Sequence, residues 1–372
     1  MNLGAGYGGP ERRLWRHLPW GLLAFAAAIA VISVINLASA SRAAHAPVWI
    51  DQVIWFAMGT LGATLALAVD YRILHRLAWP IYAVVLLLLV AVEVHGATIM
   101  GAQRWLVIGP LRLQPSEIAK LSTMFVLARF YHEEGEKPGG YSLAELWRPG
   151  LIIAAPYVLI LHQPDLGTAS MMAFIAGTLV LASRVRWKAL ATLGVAGVGI
   201  AIAGWFFVLK EYQKKRVLTF LDPEADMLGS GYHAHQSMIA VGSGQWGGKG
   251  WAQGTQTQLS FLPEQHTDFV FSVFAEEWGL RGALVLLVLF FGLCIAGLRV
   301  AATARDRHGS FLAIGATALI FWHVFVNIGM VCGILPVVGV TLPLMSYGGS
   351  SALTVRACVG LLANVAVRKH AY

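Results

Sequence analysis

The sequence predicts an all-α polytopic membrane protein: ten transmembrane helices with a large extracytoplasmic loop between helices 7 and 8. Three observations carry that reading. Of 372 residues, 57% are hydrophobic and only 12% charged, where soluble domains run near ~25% charged, and the mean hydropathy is +0.66. Apolar runs near the ~20 residues needed to cross a bilayer recur along the chain. Basic residues gather in alternate connections, as expected for one side of a membrane.

The elements follow in order. Arg12, Arg13 and Arg16 precede an apolar run that ends at Ala38-Ser39-Ala40. The pattern resembles a signal peptide, but the run is long for a signal core, so an uncleaved first span is expected. The spans are 20–38, 52–69, 78–94, 113–131, 150–162, 167–183, 189–209, 269–298, 310–333 and 350–367. The fifth is short and forms a hairpin with the sixth at "HQPDLG", where Pro164 and Gly167 break the helix. The whole chain reads as a single membrane domain over 1–372: a tail (1–19), helices 1–7 (20–209), the loop (210–268), then helices 8–10 and the C-terminal tail (269–372).

An even count of spans puts both termini on one side. With that side cytoplasmic, the inner segments hold Arg12, Arg13, Arg16, Arg72, Arg76, Arg129, Lys137, Arg148, Arg184, Arg186, Lys188, Arg299, Arg305, Arg307, Arg368 and Lys369. The short outer loops hold Arg42, Arg104 and Arg112. The 210–268 loop is far longer than ordinary connections. It carries Lys210, Lys214, Lys215, Arg216 and Lys249 among many apolar and aromatic residues, so we expect a folded, partly membrane-dipping cap.

Several motifs invite chemistry. Cys294, Cys332 and Cys358 all lie in apolar stretches, which points to buried thiols and to neither a disulfide framework nor a thiolate metal site. "GSGQWG" (242–247) fits GxGxxG, but no strand precedes it, so a nucleotide site is not expected. His233 and His235 form an HxH pair, read as surface polar residues. No internal repeat is evident, which weighs against a repeat-built transporter.

Ionisable residues inside or beside spans are functional candidates. Asp268 sits where "LPEQHTD" gives way to the eighth span. It either caps that helix with Thr267 or acts as a base on the outer face. Glu117 and Lys120 lie three apart on one helix face behind Pro115, as a self-neutralising ion pair or as part of a site. Glu277 and Arg281, four apart, read as a structural pair; Glu276 and Arg356 stay unassigned. Asp165 is a turn residue or a site residue. In "LPLMSYGGSS", Ser346, Ser350 and Ser351 either cap a helix start or form a hydrogen-bonding lip. Basic residues on the outer side run against the usual charge bias, which suggests an anionic lipid-linked substrate recognised through its phosphates. Trp105, Trp246 and Trp251 stack on sugars or anchor at the interface.

Five ordered stretches, "GAQRWLVIGPLRLQPSEIAKL", "QPDLGTA", "FLDPEADMLGSGYHAHQS", "FLPEQHTDFVFSVFAEEWG" and "NIGMVCGILPVVGVTLPLMSYGGSS", resemble the SEDS family (shape, elongation, division and sporulation) of bacterial peptidoglycan glycosyltransferases. The resemblance runs from the first span to the last. "DPEAD", "GTQTQLSFLPEQ" and "FAEEWG" are closer to the rod-shape elongation members than to the division members.

The resemblance implies polymerisation of lipid II into glycan strands at the outer face of the cytoplasmic membrane, with undecaprenyl pyrophosphate leaving. The family's essential carboxylate matches Asp268, and its paired acid and base match Glu117 and Lys120. Other positions on family motifs are Arg104, Asp165, Arg216, Gln236, Ser237, Lys249, His266, Thr267, Ser346 and Ser350. Met238 departs from the pattern, where members often carry lysine. Arg216, Lys249 and Lys120 are the cations expected to counter the leaving group. A divalent cation (Mg or Mn) could assist, although the sequence offers no convincing ligand set. The implied partners are a class B penicillin-binding protein transpeptidase, the elongation machinery and membrane lipid, with no nucleic acid. The rival readings are a lipid II flippase, which would line a midplane passage, and a non-catalytic scaffold.

Overall fold

In a computed structural model, the structure describes residues 17–42, 47–99, 102–109, 111–207, 209–222, 231–259, 261–262 and 264–370. Arg12, Arg13 and Arg16, and most of "DPEADMLG", lie outside them. Helices α1 (Trp20–Ala40), α2 (Val48–Ala68) and α3 (Arg72–His95) open the bundle. A short antiparallel sheet follows, made of β1 (Ala97–Ile99), β2 (Ala102–Ile108) and β3 (Leu111–Leu113) in the order β1-β2-β3. The sequence reading has a plain loop there. Next come α4 (Pro115–Glu134), α5 (Trp147–His162), α6 (Leu166–Ala182) and α7 (Trp187–Phe207). The long loop holds α8 (Glu211–Leu221), α9 (Tyr232–Ser243) and α10 (Thr255–Gln258), and α11 (Val270–Ala302), α12 (Arg307–Val331) and α13 (Gly349–Val367) close the chain.

Among the described residues, eight helices are long and apolar enough to cross a membrane, and the chain is a multi-pass membrane protein. Two of the ten expected spans fall outside that set for different reasons. α6 is apolar but has only 17 residues. α4 carries Glu117, Lys120 and Arg129, yet it is the most enclosed of the early helices, with Ala119, Lys120, Met124, Val126, Leu127 and Ala128 all buried. A helix ringed by other helices need not be apolar on every side. The fifth span starts earlier than expected, because a 3-10 turn at Leu143–Leu146 leads directly into α5 and gives 20 residues.

α4, α6 and α12 form the centre, and α12 buries His323 and Asn327 among apolar neighbours. α7 is the opposite case. Of its residues only Ala189 is buried, so its apolar sides face outward, towards lipid.

The helix α11 is broken at Gly279, whose φ of +64° is left-handed, a conformation readily open to glycine. The glycine-rich loop splices into the break. In an unbroken helix, Leu280 and Arg281 would donate to the carbonyls of Glu276 and Glu277. Instead Leu280 N donates to Gln245 O and Arg281 N to Trp246 O, while Lys249 N donates to Glu276 O and Gly250 N to Glu277 O. The four main-chain groups that the break would strand are thereby satisfied. Gly248, at φ +77°, passes so close that a Cβ would stand 2.2 Å from Glu277 O. The GxGxxG match is therefore a helix splice. The same break undoes the expected Glu277–Arg281 pair: Glu277 Oε1 instead accepts from Ser39 Oγ, and Arg281 lies over the Trp246 ring, 5.9 Å from its centre.

Candidate active site

Four segments meet at one end of the bundle: the 264–269 turn before α11, the 334–348 stretch between α12 and α13, the α5–α6 turn, and the β2–β3 hairpin. Their main chains are interlocked. Tyr347 N donates to His266 O at 2.8 Å. Ser346 Oγ donates to Thr267 O and accepts from Leu342 N at 2.7 Å. Asn327 Nδ2 donates to both Asp268 O and Val340 O. Across the α5–α6 turn, Gly167 packs so tightly that a Cβ would stand 2.5 Å from Val338 O.

Asp268 stands in this frame with a fixed backbone and a free side chain. Among the described residues, no hydrogen bond or ion pair reaches its carboxylate. α11 has Phe269 as its N-cap and no side-chain capping bond, so the expected cap by Asp268 and Thr267 does not form. The Thr267 hydroxyl is turned to Glu264, donating to Oε2 at 3.0 Å. The Asp268 carboxylate lies against the Gly339 backbone, where a Cβ would stand 3.3 Å from Oδ2. Burial, then the negative charges of Glu264 and Asp165, push its pKa from 3.8 up to about 6, against the opposing charge of Arg216. A half-buried carboxyl that lacks donors behaves this way because its ionised form has lost part of its water and gained no hydrogen bond in return.

Arg216 on α8 and His233 on α9 stand close by. Burial and the Arg216 charge lower the pKa of His233 despite Glu264, and its ring lies parallel to Phe269 at 6.3 Å. His266 is lowered by burial as well, and its Nδ1 has no partner among the described residues.

Asp165 is a true helix cap. Its Oδ1 accepts from Thr168 N at 3.2 Å and its Oδ2 from Thr168 Oγ1 and Gln114 Nε2. Arg104, on β2, lies 3.6 Å from Oδ1 and donates to the carbonyls of Gln163 and Pro164. The hairpin is thus pinned to the α5–α6 turn by one guanidinium.

Glu117 and Lys120 do form the expected pair, at 2.7 Å, with both side chains buried. The sequence reading missed their third member. His323 Nε2 lies 2.9 Å from Lys120 Nζ, and His323 Nδ1 lies 2.8 Å from Leu319 O. The carbonyl requires a proton on Nδ1, so Nε2 carries the lone pair that accepts from the ammonium. An isolated histidine in an apolar run gave no sequence signal for this role.

Other expected site residues have structural partners. Lys249 Nζ is 2.7 Å from Glu276 Oε1. That carboxylate is fully buried and also accepts from Gln256 N, Thr257 N and Thr257 Oγ1. Lys249 therefore neutralises a buried acid instead of standing free for phosphate. Ser237 is fully buried and bonds Ser272 Oγ and Val331 O. Ser350 donates to Arg112 O and accepts from Gln114 N, so Ser346 and Ser350 are scaffold hydroxyls and not an open lip. Gln236 is half-buried beside Ser237. Met238 packs on Gly333, where a Cβ would stand 2.5 Å from its sulfur. No group of three His, Cys, Asp or Glu among the described residues is arranged to hold a metal ion.

Residues 16–371 match the FtsW/RodA/SpoVE cell cycle protein family. The chain belongs to this family. It is 45% identical to the peptidoglycan glycosyltransferase MrdB of Escherichia coli K12, over 83% of each chain. It is 31% identical to the peptidoglycan glycosyltransferase RodA of Treponema pallidum, over 86% of this chain and 90% of that relative. A solved structure described as a peptidoglycan synthase complex that coordinates polymerisation and crosslinking aligns with a TM-score of 0.81 at 34% identity, covering 95% of this chain and 98% of that one. Thermus thermophilus RodA aligns with a TM-score of 0.70 at 31% identity, again over 95% and 98%.

Proposed function

We propose that this protein is a peptidoglycan glycosyltransferase of the cytoplasmic membrane that polymerises lipid II, with Asp268 as general base. The single observation behind the base is a carboxylate on a rigid main chain, without a bonding partner among the described residues, whose proton affinity is raised towards the working range of a base. Asp268 takes the proton from the 4-hydroxyl of an acceptor N-acetylglucosamine. That oxygen attacks C1 of the N-acetylmuramic acid at the lipid-bearing end of the growing strand. The C1–O bond to undecaprenyl pyrophosphate breaks and the configuration at C1 inverts.

Pyrophosphate is a good leaving group once its charge is countered, so one base with nearby cations suffices. Arg216 is the cation that acts on Asp268. The Glu117–Lys120–His323 triad and the Arg104–Asp165 pair support the frame around it.

The stretches "DPEAD", "GTQTQLSFLPEQ" and "FAEEWG" support the elongation role. The distribution of Lys and Arg favours cytoplasmic termini. The partner we infer is a class B penicillin-binding protein, in keeping with the assembly named for the similar structure.

The test supplies purified protein and partner with lipid II. Asp268→Ala should fold and make no glycan strands. Polymer at the wild-type rate from that variant refutes the base.

A further inference from the structure

Asn327 is fully buried on α12. Its amide nitrogen donates to two main-chain carbonyls, Val340 O at 2.6 Å and Asp268 O at 2.8 Å. Two acceptors identify the NH2 end, because only that end can donate twice. Its Oδ1 has no partner among the described residues. A buried amide oxygen left bare is an energetic loss, so this side chain is arranged for the two carbonyls and at its own expense.

Those carbonyls belong to the two surfaces that define the site. One is the main chain of Asp268 itself. The other adjoins Gly339, the backbone against which the Asp268 carboxylate rests. One amide thus ties the base to its own wall. One turn earlier on the same face, His323 holds Lys120 of α4. Adjacent turns of α12 therefore hold Lys120 and the Asp268 main chain.

We propose that Asn327 is a positioning residue for Asp268, holding the aspartate main chain and the Gly339 wall together so that the carboxylate stays shielded on that side. The inference rests on the reading of Asp268 as the base. A packing role alone would affect folding, whereas a positioning role also sets how readily Asp268 takes a proton. Without the clamp the wall parts from the carboxylate, water enters, and the proton affinity falls towards that of ordinary aspartate.

The experiment follows glycan polymerisation from lipid II against pH, using the full chain with its partner. The proteins are wild type, Asn327→Ala, the near-isosteric Asn327→Leu and Asp268→Ala. Folding is checked by thermal melting and size exclusion. Asn327→Ala should lower kcat by about 10- to 100-fold, as a displaced reacting group does, with KM within about threefold. The acid limb of its rate profile should shift below the wild-type midpoint of about 6. Asn327→Leu, which nearly keeps the volume, removes both donors and adds no charge, should do the same and decides the matter if the alanine protein is not recovered folded.

A rate within twofold of wild type overturns the proposal. So does a slowed enzyme with an unmoved acid limb, or loss of folded protein in both variants. Activity in Asp268→Ala would refute the base reading itself, a result the Asn327 variants cannot produce.

Discussion

Replacing Asp268 with Asn separates the activity of the residue from its effect on stability. The carboxyl titrates at about 6 where free aspartic acid titrates at 3.8. Each tenfold change in proton affinity is worth about 1.4 kcal/mol, so above pH 6 the ionised side chain costs the fold about 3 kcal/mol. Because the folded state holds the proton more tightly than the unfolded chain, this loss grows as pH rises from 4 to 6 and vanishes below 4. Asn has the same shape and no charge to desolvate. Asp268→Asn should therefore melt several degrees above wild type at pH 8 in detergent, and the two curves should converge near pH 4. Polymerisation should fall at least about 100-fold, the usual contribution of a general base. The assay is a pair of melting curves at the two pH values beside a lipid II polymerisation assay. A variant less stable than wild type at pH 8 would mean that Asp268 makes a stabilising contact, and the description of an unpartnered carboxylate would be wrong.

Three further outcomes follow from the same geometry. Lys120→Met strands a buried Glu117 and should destabilise by about 3–5 kcal/mol, while Glu117→Gln with Lys120→Met should cost less than the sum of the single changes, as a double-mutant cycle of melting would show. His323→Leu removes the second acceptor of Lys120 and should cost about 1–3 kcal/mol, with His323→Gln recovering part of it in the same melts. Gly279→Ala places a side chain at φ +64° and 2.3 Å from Gly248 N, so it should sharply reduce the yield of folded protein, measured by fluorescence-detected size exclusion.

The helices were legible because apolar runs separated by basic turns can satisfy their main chain in lipid only as helices. The α5–α6 hairpin at Pro164 could be read from turn chemistry, which put Asp165 in the turn but did not show that it caps α6. The Glu117–Lys120 pair was visible from its three-residue spacing. What escaped was whatever depends on chain segments far apart in sequence. The Gly279 break looks like an ordinary glycine until the 244–250 loop is laid against it, and the Glu277–Arg281 spacing then misleads, because i,i+4 neighbours face each other only across an intact helix. Lys249 looked like a phosphate ligand because Glu276, 27 residues away, gave no hint of being its partner. His323 and Asn327 have no polar side-chain partner nearby in sequence, and their roles appear only when α4, the 268 turn and the 338–340 stretch surround them.

The most direct test of Asp268 as proton acceptor is the pH dependence of kcat/KM for lipid II polymerisation by the wild-type protein, since this quantity reports the base in the free enzyme. The rate should climb about tenfold per pH unit in the acid range, bend at about 6 and level off above it. A flat profile from about pH 5 to 8 would show that no group with the raised proton affinity of Asp268 takes part in the reaction.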